Sequence, residues 1–126
     1  MPSIPVLAGL FPDGQFTADC PTRVVLAHVT GKWAPLVLTA LSDGEPLRWS
    51  ELRRRVQGVS EKMLAQVLRT LEDDGFVRRE ARPVVPPHVE YSLTADGVEL
   101  VERLLPLMTW IAEHVGRAGD LAQRSA

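Results

Sequence analysis

Apolar positions recur along this chain at two spacings. From Val59 to Leu71, Leu64, Val67, Leu68 and Leu71 follow the i, i+3, i+4, i+7 pattern of a helix with one buried face. At 100° per residue, Lys62, Gln66 and Arg69 fall on the opposite side. Ser60 stands at the N-cap, where its hydroxyl can accept a bond from an otherwise orphaned backbone N–H. Asp74-Gly75 is the stop. Upstream, Pro21 suits the first position of a helix running to about Thr30, with Gly31 ending it. Trp33, Leu36, Val37, Ala40 and Leu41 form a second stripe. Pro35 is tolerated only in a first turn, so that helix begins near Trp33 and ends at Asp43-Gly44. Leu47-Arg48-Trp49 reads as a short extended link. Ser50 is expected to cap a short helix from Glu51 to about Val56, and Gln57-Gly58-Val59 is the turn that follows. Two short helices joined by a tight Gly-containing turn make a helix-turn-helix.

Past Gly75 the period changes to two. Phe76–Ala81 and Val89–Leu93 read as antiparallel strands. The connection Arg82-Pro83-Val84-Val85-Pro86-Pro87-His88 is stiffened by prolines. A hairpin directly after a helix-turn-helix is a wing. Thr94 then caps a last helical stretch, with Val98, Val101, Leu104, Leu105, Met108 and Ile111 on its apolar face. Pro106 is expected to kink or split it. That face is long for a domain already supplied with a core, so Val101, Leu104, Leu105, Met108 and Ile111 are the expected homodimer interface; the alternative is a helix folded back on its own domain. The chain divides into an N-terminal arm (1–19), a winged helix-turn-helix domain with C-terminal dimerisation helices (20–115) and a flexible tail (116–126). The fold class is mainly α with a small β-hairpin wing.

Composition changes this picture little. The 126 residues suffice for one domain, and 45% hydrophobic with 24% charged is ordinary for a soluble protein. No apolar run reaches the roughly 20 residues that cross a bilayer. The N-terminus lacks the pattern of a signal peptide. One cysteine excludes a disulfide or a multi-thiolate metal site within one chain. A cytoplasmic protein without cofactor or metal is expected.

Charge adds more. The net is −2, yet residues 48–82 hold nine basic and six acidic residues, a net of +3, and the rest holds five and ten, a net of −5. Basic charge gathers around the two short helices and the hairpin, and affinity for phosphate follows the local face rather than the pI.

On that face Lys62, Gln66 and Arg69 have the donors and acceptors to read base edges, Arg and Lys at guanine and Gln at adenine; the plainer alternative is a solvated face. Met63, at its edge, either touches a thymine methyl or fills core. Ser50 and Ser60 sit at helix starts that approach DNA. Arg53 and Arg54 point away from Leu52 and Val56, towards sequence-blind phosphate contact. Lys32, near a helix start, meets phosphate or lies along Trp33. Arg82 and His88 flank the wing tip and meet phosphate or the minor groove, unless the tip serves only to stop edge pairing.

Enzymatic readings find little. His28, His88 and His114 lie in separate elements, Glu72-Asp73-Asp74 sits beside a helix stop and reads as solvated, and Gly31-Lys32 lacks the rest of a phosphate loop. A non-enzyme is expected. Two further readings are a winged-helix module that binds protein and a regulator with an effector pocket at the dimer crevice. Trp33, Trp49, Phe76, Tyr91 and Trp110 would line that pocket if they are not core.

The chain resembles the HxlR-type winged helix-turn-helix transcription regulators. The likeness covers about residues 20–115 and is carried by Gly31-Lys32-Trp33, Trp49-Ser50-Glu51-Leu52, Val59–Leu64, Leu71–Gly75, Val85-Pro86-Pro87-His88-Val89-Glu90-Tyr91-Ser92-Leu93-Thr94 and Gly97. Cys20-Pro21 matches a cysteine near the N-terminus of many members. The arm is longer and more apolar than usual, and Pro35 interrupts a helix usually unbroken. The resemblance implies a homodimeric bacterial regulator on a double-stranded DNA operator, its recognition helix in the major groove and its wing near the minor groove. Cys20 is the redox-sensing candidate. It precedes Pro21 at a helix start, where backbone N–H groups favour a thiolate. An oxidant or a small molecule is then the expected effector; the alternative is a cysteine that serves structure only.

Overall fold

A computed structural model describes residues 17–86 and 88–125, with side chains up to Val115. The arm expected over residues 1–19 lies, apart from Thr17, Ala18 and Asp19, outside the described residues, as does Pro87 at the wing tip.

The described chain forms five helices and three strands: α1 (Pro21–Val29), α2 (Ala34–Ala40), β1 (Leu47–Arg48), α3 (Trp49–Arg55), α4 (Glu61–Asp73), β2 (Val77–Arg82), β3 (His88–Leu93) and α5 (Ala95–Ser125). Each boundary has a local cause. Pro21 opens α1, and Pro35 falls in the first turn of α2, where its missing N–H costs nothing. The Ser60 hydroxyl accepts the Met63 N–H at 3.1 Å and starts α4. Gly75, at φ 88°, ends it in a conformation that side chains resist.

Leu38, Leu41, Leu52, Leu64 and Leu71, with Val37, are at most 1% exposed and form the centre of the core. They come from α2 with its C-cap Leu41, α3 and α4. The stripe read on α4 is the face that meets the core. On α2 the buried side is Ala34, Val37, Leu38 and Leu41, and Leu36, expected in the stripe, is exposed. Each buried leucine contributes about 1.5–3 kcal/mol against leaving it in water. This fixes α3 and α4 against α2 and leaves the other side of α4 to solvent.

The sheet is antiparallel in the order β1-β3-β2. Register pairs Leu47 and Arg79 with Tyr91, and Arg48 and Glu80 with Glu90. Period two therefore gives the sheet an inner face with Leu47, Val77, Tyr91 and Leu93. Its outer face carries Arg48, Glu80, Arg82, His88 and Glu90. At the sheet's edge, Thr94 donates through its hydroxyl to the Gly75 carbonyl at 2.6 Å and accepts the Gly97 N–H at 3.0 Å. A Cβ at Gly97 would lie 2.1 Å from the Phe76 carbonyl oxygen, so only glycine lets α5 start this close to β2.

Four further expectations are corrected. Leu47-Arg48 is a paired strand rather than a link, because β3 offers it a free edge. Ser50 does not cap α3. The helix already starts at Trp49, and its flanking Arg48 donates its N–H to Glu51 Oε1 at 3.2 Å. Pro106 does not split the last stretch; α5 is one helix through it. Val101 and Leu104 do not face a partner. They are 4% and 9% exposed, folded against the protomer's own core.

Candidate nucleic-acid interface

The capped start and buried stripe of α4 leave Lys62, Met63, Gln66 and Arg69 exposed along one side. Met63 is 37% exposed, which removes the core alternative for it. Lys62 and Arg69 join Arg79 of β2 around a recess of about 640 Å³ floored by Trp49, Leu68 and Tyr91. None of these three cations takes part in an ion pair among the described residues. Glu72 and Asp73 also line the recess. Arg79 escaped the sequence reading. It lies two residues from buried Val77, and that parity places it on the sheet's inner face, beside α4.

The remaining basic residues are mostly engaged. Arg53 donates to Glu61 at 3.1 Å and ties α3 to the first turn of α4. Arg55 donates to the Ala40 carbonyl at 3.1 Å and to Asp43 at 3.0 Å. That hydrogen bond holds the Asp43 carboxyl below its ordinary range, with the Arg55 charge assisting. Arg54, between them, has no ion pair among the described residues. The Arg53-Arg54-Arg55 run is thus two braces and one free cation. Lys32 lies over the Trp33 ring, its Nζ 4.9 Å from the centroid, and Ser50 is exposed in the first turn of α3.

At the wing, Arg82 and His88 are register partners, and both bind Glu90, Arg82 at 3.3 Å and His88 at 2.6 Å. The His88 hydrogen bond lowers the Glu90 carboxyl from its ordinary value; burial opposes this, and the Arg82, His88 and Arg48 charges add to it. Glu80 lies directly opposite Glu90, a repulsive pairing that these cations offset. Arg82 and His88 therefore brace the hairpin where its strands enter the tip, and Val84 and Val85 project from that tip at 50% and 99% exposure.

The Glu72-Asp73-Asp74 run is not uniformly solvated. Asp74 is 14% exposed and bonded to His28 Nδ1 at 2.8 Å. A carboxylate at a helix C-terminus opposes the helix dipole, and this bond to α1 compensates it. The five aromatics do not gather into one pocket. Trp33, Trp49, Phe76 and Tyr91 pack in or against the protomer's core, and Trp110 is 56% exposed on α5. There it stacks on His114 at 3.8 Å. Cys20 is half-buried at the start of α1 and makes no capping bond through its side chain.

A tri-helical core, a capped helix with its polar side outward and a hairpin beside it define a winged helix-turn-helix. The sequence matches the model of the HxlR-like helix-turn-helix family over residues 28–118, and the chain belongs to that family. It is similar to the uncharacterized HTH-type transcriptional regulator YtfH of Escherichia coli, 56% identical over 96 residues that cover 76% of this chain and 75% of that one. Among solved structures it is similar to the transcriptional regulator ytfH from Salmonella typhimurium, with TM-score 0.78 and 50% identity over 88% of this chain and 96% of that one. It is also similar to the redox regulator HypR, known in oxidized and reduced forms. The reduced form gives TM-score 0.71 and 34% identity over 79% of this chain and 98% of that one. The protein is a transcriptional regulator of the helix-turn-helix class.

Proposed function

We propose that two copies of this chain bind a two-fold symmetric DNA site, each reading bases with Lys62, Gln66 and Arg69 of α4 in the major groove. One observation carries this reading. The side of α4 turned from the core holds cations without partners among the described residues beside a glutamine, while neighbouring arginines are spent on bracing. Met63 adds an apolar contact at the edge of that row. Arg54, Arg79 and Lys32 meet phosphates, with Ser50 and the backbone at Ser60 near the same strand; Arg53, Arg82 and His88 position the elements that carry them. One such helix reads too few bases, and two about 34 Å apart solve this.

The second copy is expected on α5. Leu105, Leu107, Trp110, Ile111 and Val115 are 38–59% exposed there, more apolar surface than a lone helix leaves in water without reason. Met108 lies at the edge of this surface, receiving the Thr39 hydroxyl at 3.2 Å. The test is selection of bound fragments from a random DNA pool. The expected product is an inverted repeat with half-sites about one helical turn apart; recovery of asymmetric single sites overturns the dimer arrangement.

Thiol control is a second reading, favoured by the half-exposed Cys20 and by the likeness to HypR. Oxidation of Cys20 to a mixed disulfide, or to a disulfide with the partner's own cysteine, changes the packing of α1 and lowers operator affinity. Wild type and Cys20→Ser, each with and without a mild thiol oxidant, decide it: only oxidised wild type loses affinity, and equal affinity in all four samples refutes it.

A further inference from the structure

We propose that a cavity between the α1–α2 turn and α4 binds a small aromatic carboxylate, and that this ligand weakens DNA reading. The second half rests on the DNA-binding role of α4; the first does not.

The cavity holds about 260 Å³. Trp33, Ala34, Val67 and Leu71 supply apolar wall, and Lys32 and Gln66 are polar groups on its lining. An apolar cavity of about 150 Å³ stays dry and accepts benzene. This one therefore has room for a single ring and one small substituent, and it falls short of the roughly 300 Å³ at which sites for larger ligands begin. An aromatic wall suits a ring, which stacks or meets it edge-on.

Charge sets the substituent. Among the described residues Lys32 has no carboxylate partner; its ammonium rests 4.9 Å from the Trp33 centroid. His28 also borders the cavity, and the carboxylate attached to it, Asp74, is held by that imidazole at 2.8 Å. A ring seated on Trp33 with its carboxylate towards Lys32 completes an ion pair that the protein leaves open. A ligand ammonium in the same place meets repulsion.

The position links the ligand to DNA. Met63 and Gln66 belong to the cavity lining and to the exposed row of α4. The outer end of the Trp33 indole lies 3.7 Å from where a Cβ at Gly58 would stand, in the turn before α4. An occupant therefore touches a base-reading side chain, leans on the residue that supports the turn and takes up the Lys32 charge. Its effect on DNA affinity is matched by an equal effect of DNA on its own affinity.

The experiment is calorimetric titration of the full chain, without DNA, with benzoate, benzyl alcohol and benzylamine. Benzoate is expected to bind about threefold to fivefold more tightly than benzyl alcohol, the upper range that an ion pair with an exposed lysine supplies, and benzylamine not at all. Lys32→Gln, an exposed change that leaves the core intact, brings benzoate down to the level of benzyl alcohol. Val67→Phe, checked for folding by circular dichroism, removes binding of both. Equal binding of benzoate and benzyl alcohol by wild type overturns the site, as does absence of benzoate binding or undiminished binding by folded Val67→Phe. Saturating benzoate is then added to complexes with a selected DNA fragment. Lower DNA affinity supports the coupling, and unchanged affinity overturns it while leaving the site standing. A chain that binds benzoate but selects no DNA refutes the DNA-binding role alone.

Discussion

Helices α4 and α5 have the same kind of sequence pattern and leave different surfaces behind. Both bury one apolar stripe in the core, Leu64, Leu68 and Leu71 from α4 and Val101 and Leu104 from α5. Outside α4 stand chiefly Lys62, Gln66 and Arg69, charged or amide groups that water solvates well, with Met63 at their edge. Outside α5, among charged residues such as Glu102 and Glu113, stand five large apolar ones, Leu105, Leu107, Trp110, Ile111 and Val115. The first surface is stable alone and available to a charged polymer. The second gains by being covered with protein. The stripe that builds a fold therefore says little about function; the residues left over after the stripe is buried say more.

The largest break in this contrast comes from charging the α5 surface. Trp110→Glu with Ile111→Glu is expected to give a folded monomer by light scattering. Affinity for a two-half-site operator then falls by on the order of 100-fold to 10,000-fold, the gain that linked binding supplies. Val101→Ala and Leu104→Ala, on the same helix, should instead lower the melting temperature and leave association intact until unfolding. A Trp110/Ile111 variant that remains dimeric refutes the assignment of this surface.

A change in the first turn of α5 leaves both surfaces chemically untouched. Gly97→Ala places a methyl against the Phe76 carbonyl, closer than van der Waals contact permits, so the start of α5 must move. Overpacking of this kind costs about 1–3 kcal/mol. Denaturant melts should show that loss. Base preference should remain that of wild type in the folded fraction.

On α3 and α4 the expected effects are narrower. Gln66→Ala should cost about 1–3 kcal/mol at one base pair per half-site and nothing at the others. Arg54→Ala should weaken all sequences alike and lower the salt slope by about one charge per half-site. Arg53→Ala distinguishes bracing from contact. If its role is to hold Glu61, the salt slope stays the same and stability falls slightly, since an exposed pair contributes only about 0–1 kcal/mol.

Much of the architecture is legible in the sequence because it depends on local signals. Ser60, Gly75, Pro35 and Thr94 mark helix ends through their own backbone chemistry, and the stripe of α4 lies in the core. On α2 the expected stripe is off to one side, with Leu36 exposed and Leu38 buried. The errors arise where a distant partner decides. Leu47-Arg48 becomes a strand because β3 lies beside it. Val101 and Leu104 enter the core because α5 starts against β2, and the spacing along α5 alone does not show where its apolar face changes partner. At the interface, the exposed row of α4 is legible from periodicity. Which arginines are free is not: Arg53, Arg54 and Arg55 are alike in sequence and are separated only by the positions of Glu61 and Asp43. Arg79 was within reach, through its parity with Val77.

The smallest expected effect concerns the wing, where a brace is set by a single carboxylate. Glu90 binds His88 and Arg82 and faces Glu80 across the strands. Its pKa is lowered from the ordinary 4.5, first by the His88 hydrogen bond and then by the Arg82, His88 and Arg48 charges, against a contrary effect of burial. A carboxyl group lowered on folding stabilises the folded state fully above its ordinary value and loses that contribution as pH falls through its folded value. The brace is therefore complete at neutral pH and weakens only below 4.5. Asp43, lowered by Arg55 from 3.8, titrates in the same acid range, so global stability does not isolate the wing. Amide exchange does. As pH falls below 4.5, the ladder amides of Arg82 and His88 should lose protection, after correction for the intrinsic rate, before those of α4. Glu90→Gln should show that weaker protection already at neutral pH, with no further acid step. If the wild-type hairpin amides keep their protection across the acid range, the strand ladder alone holds the wing and Glu90 is not its brace.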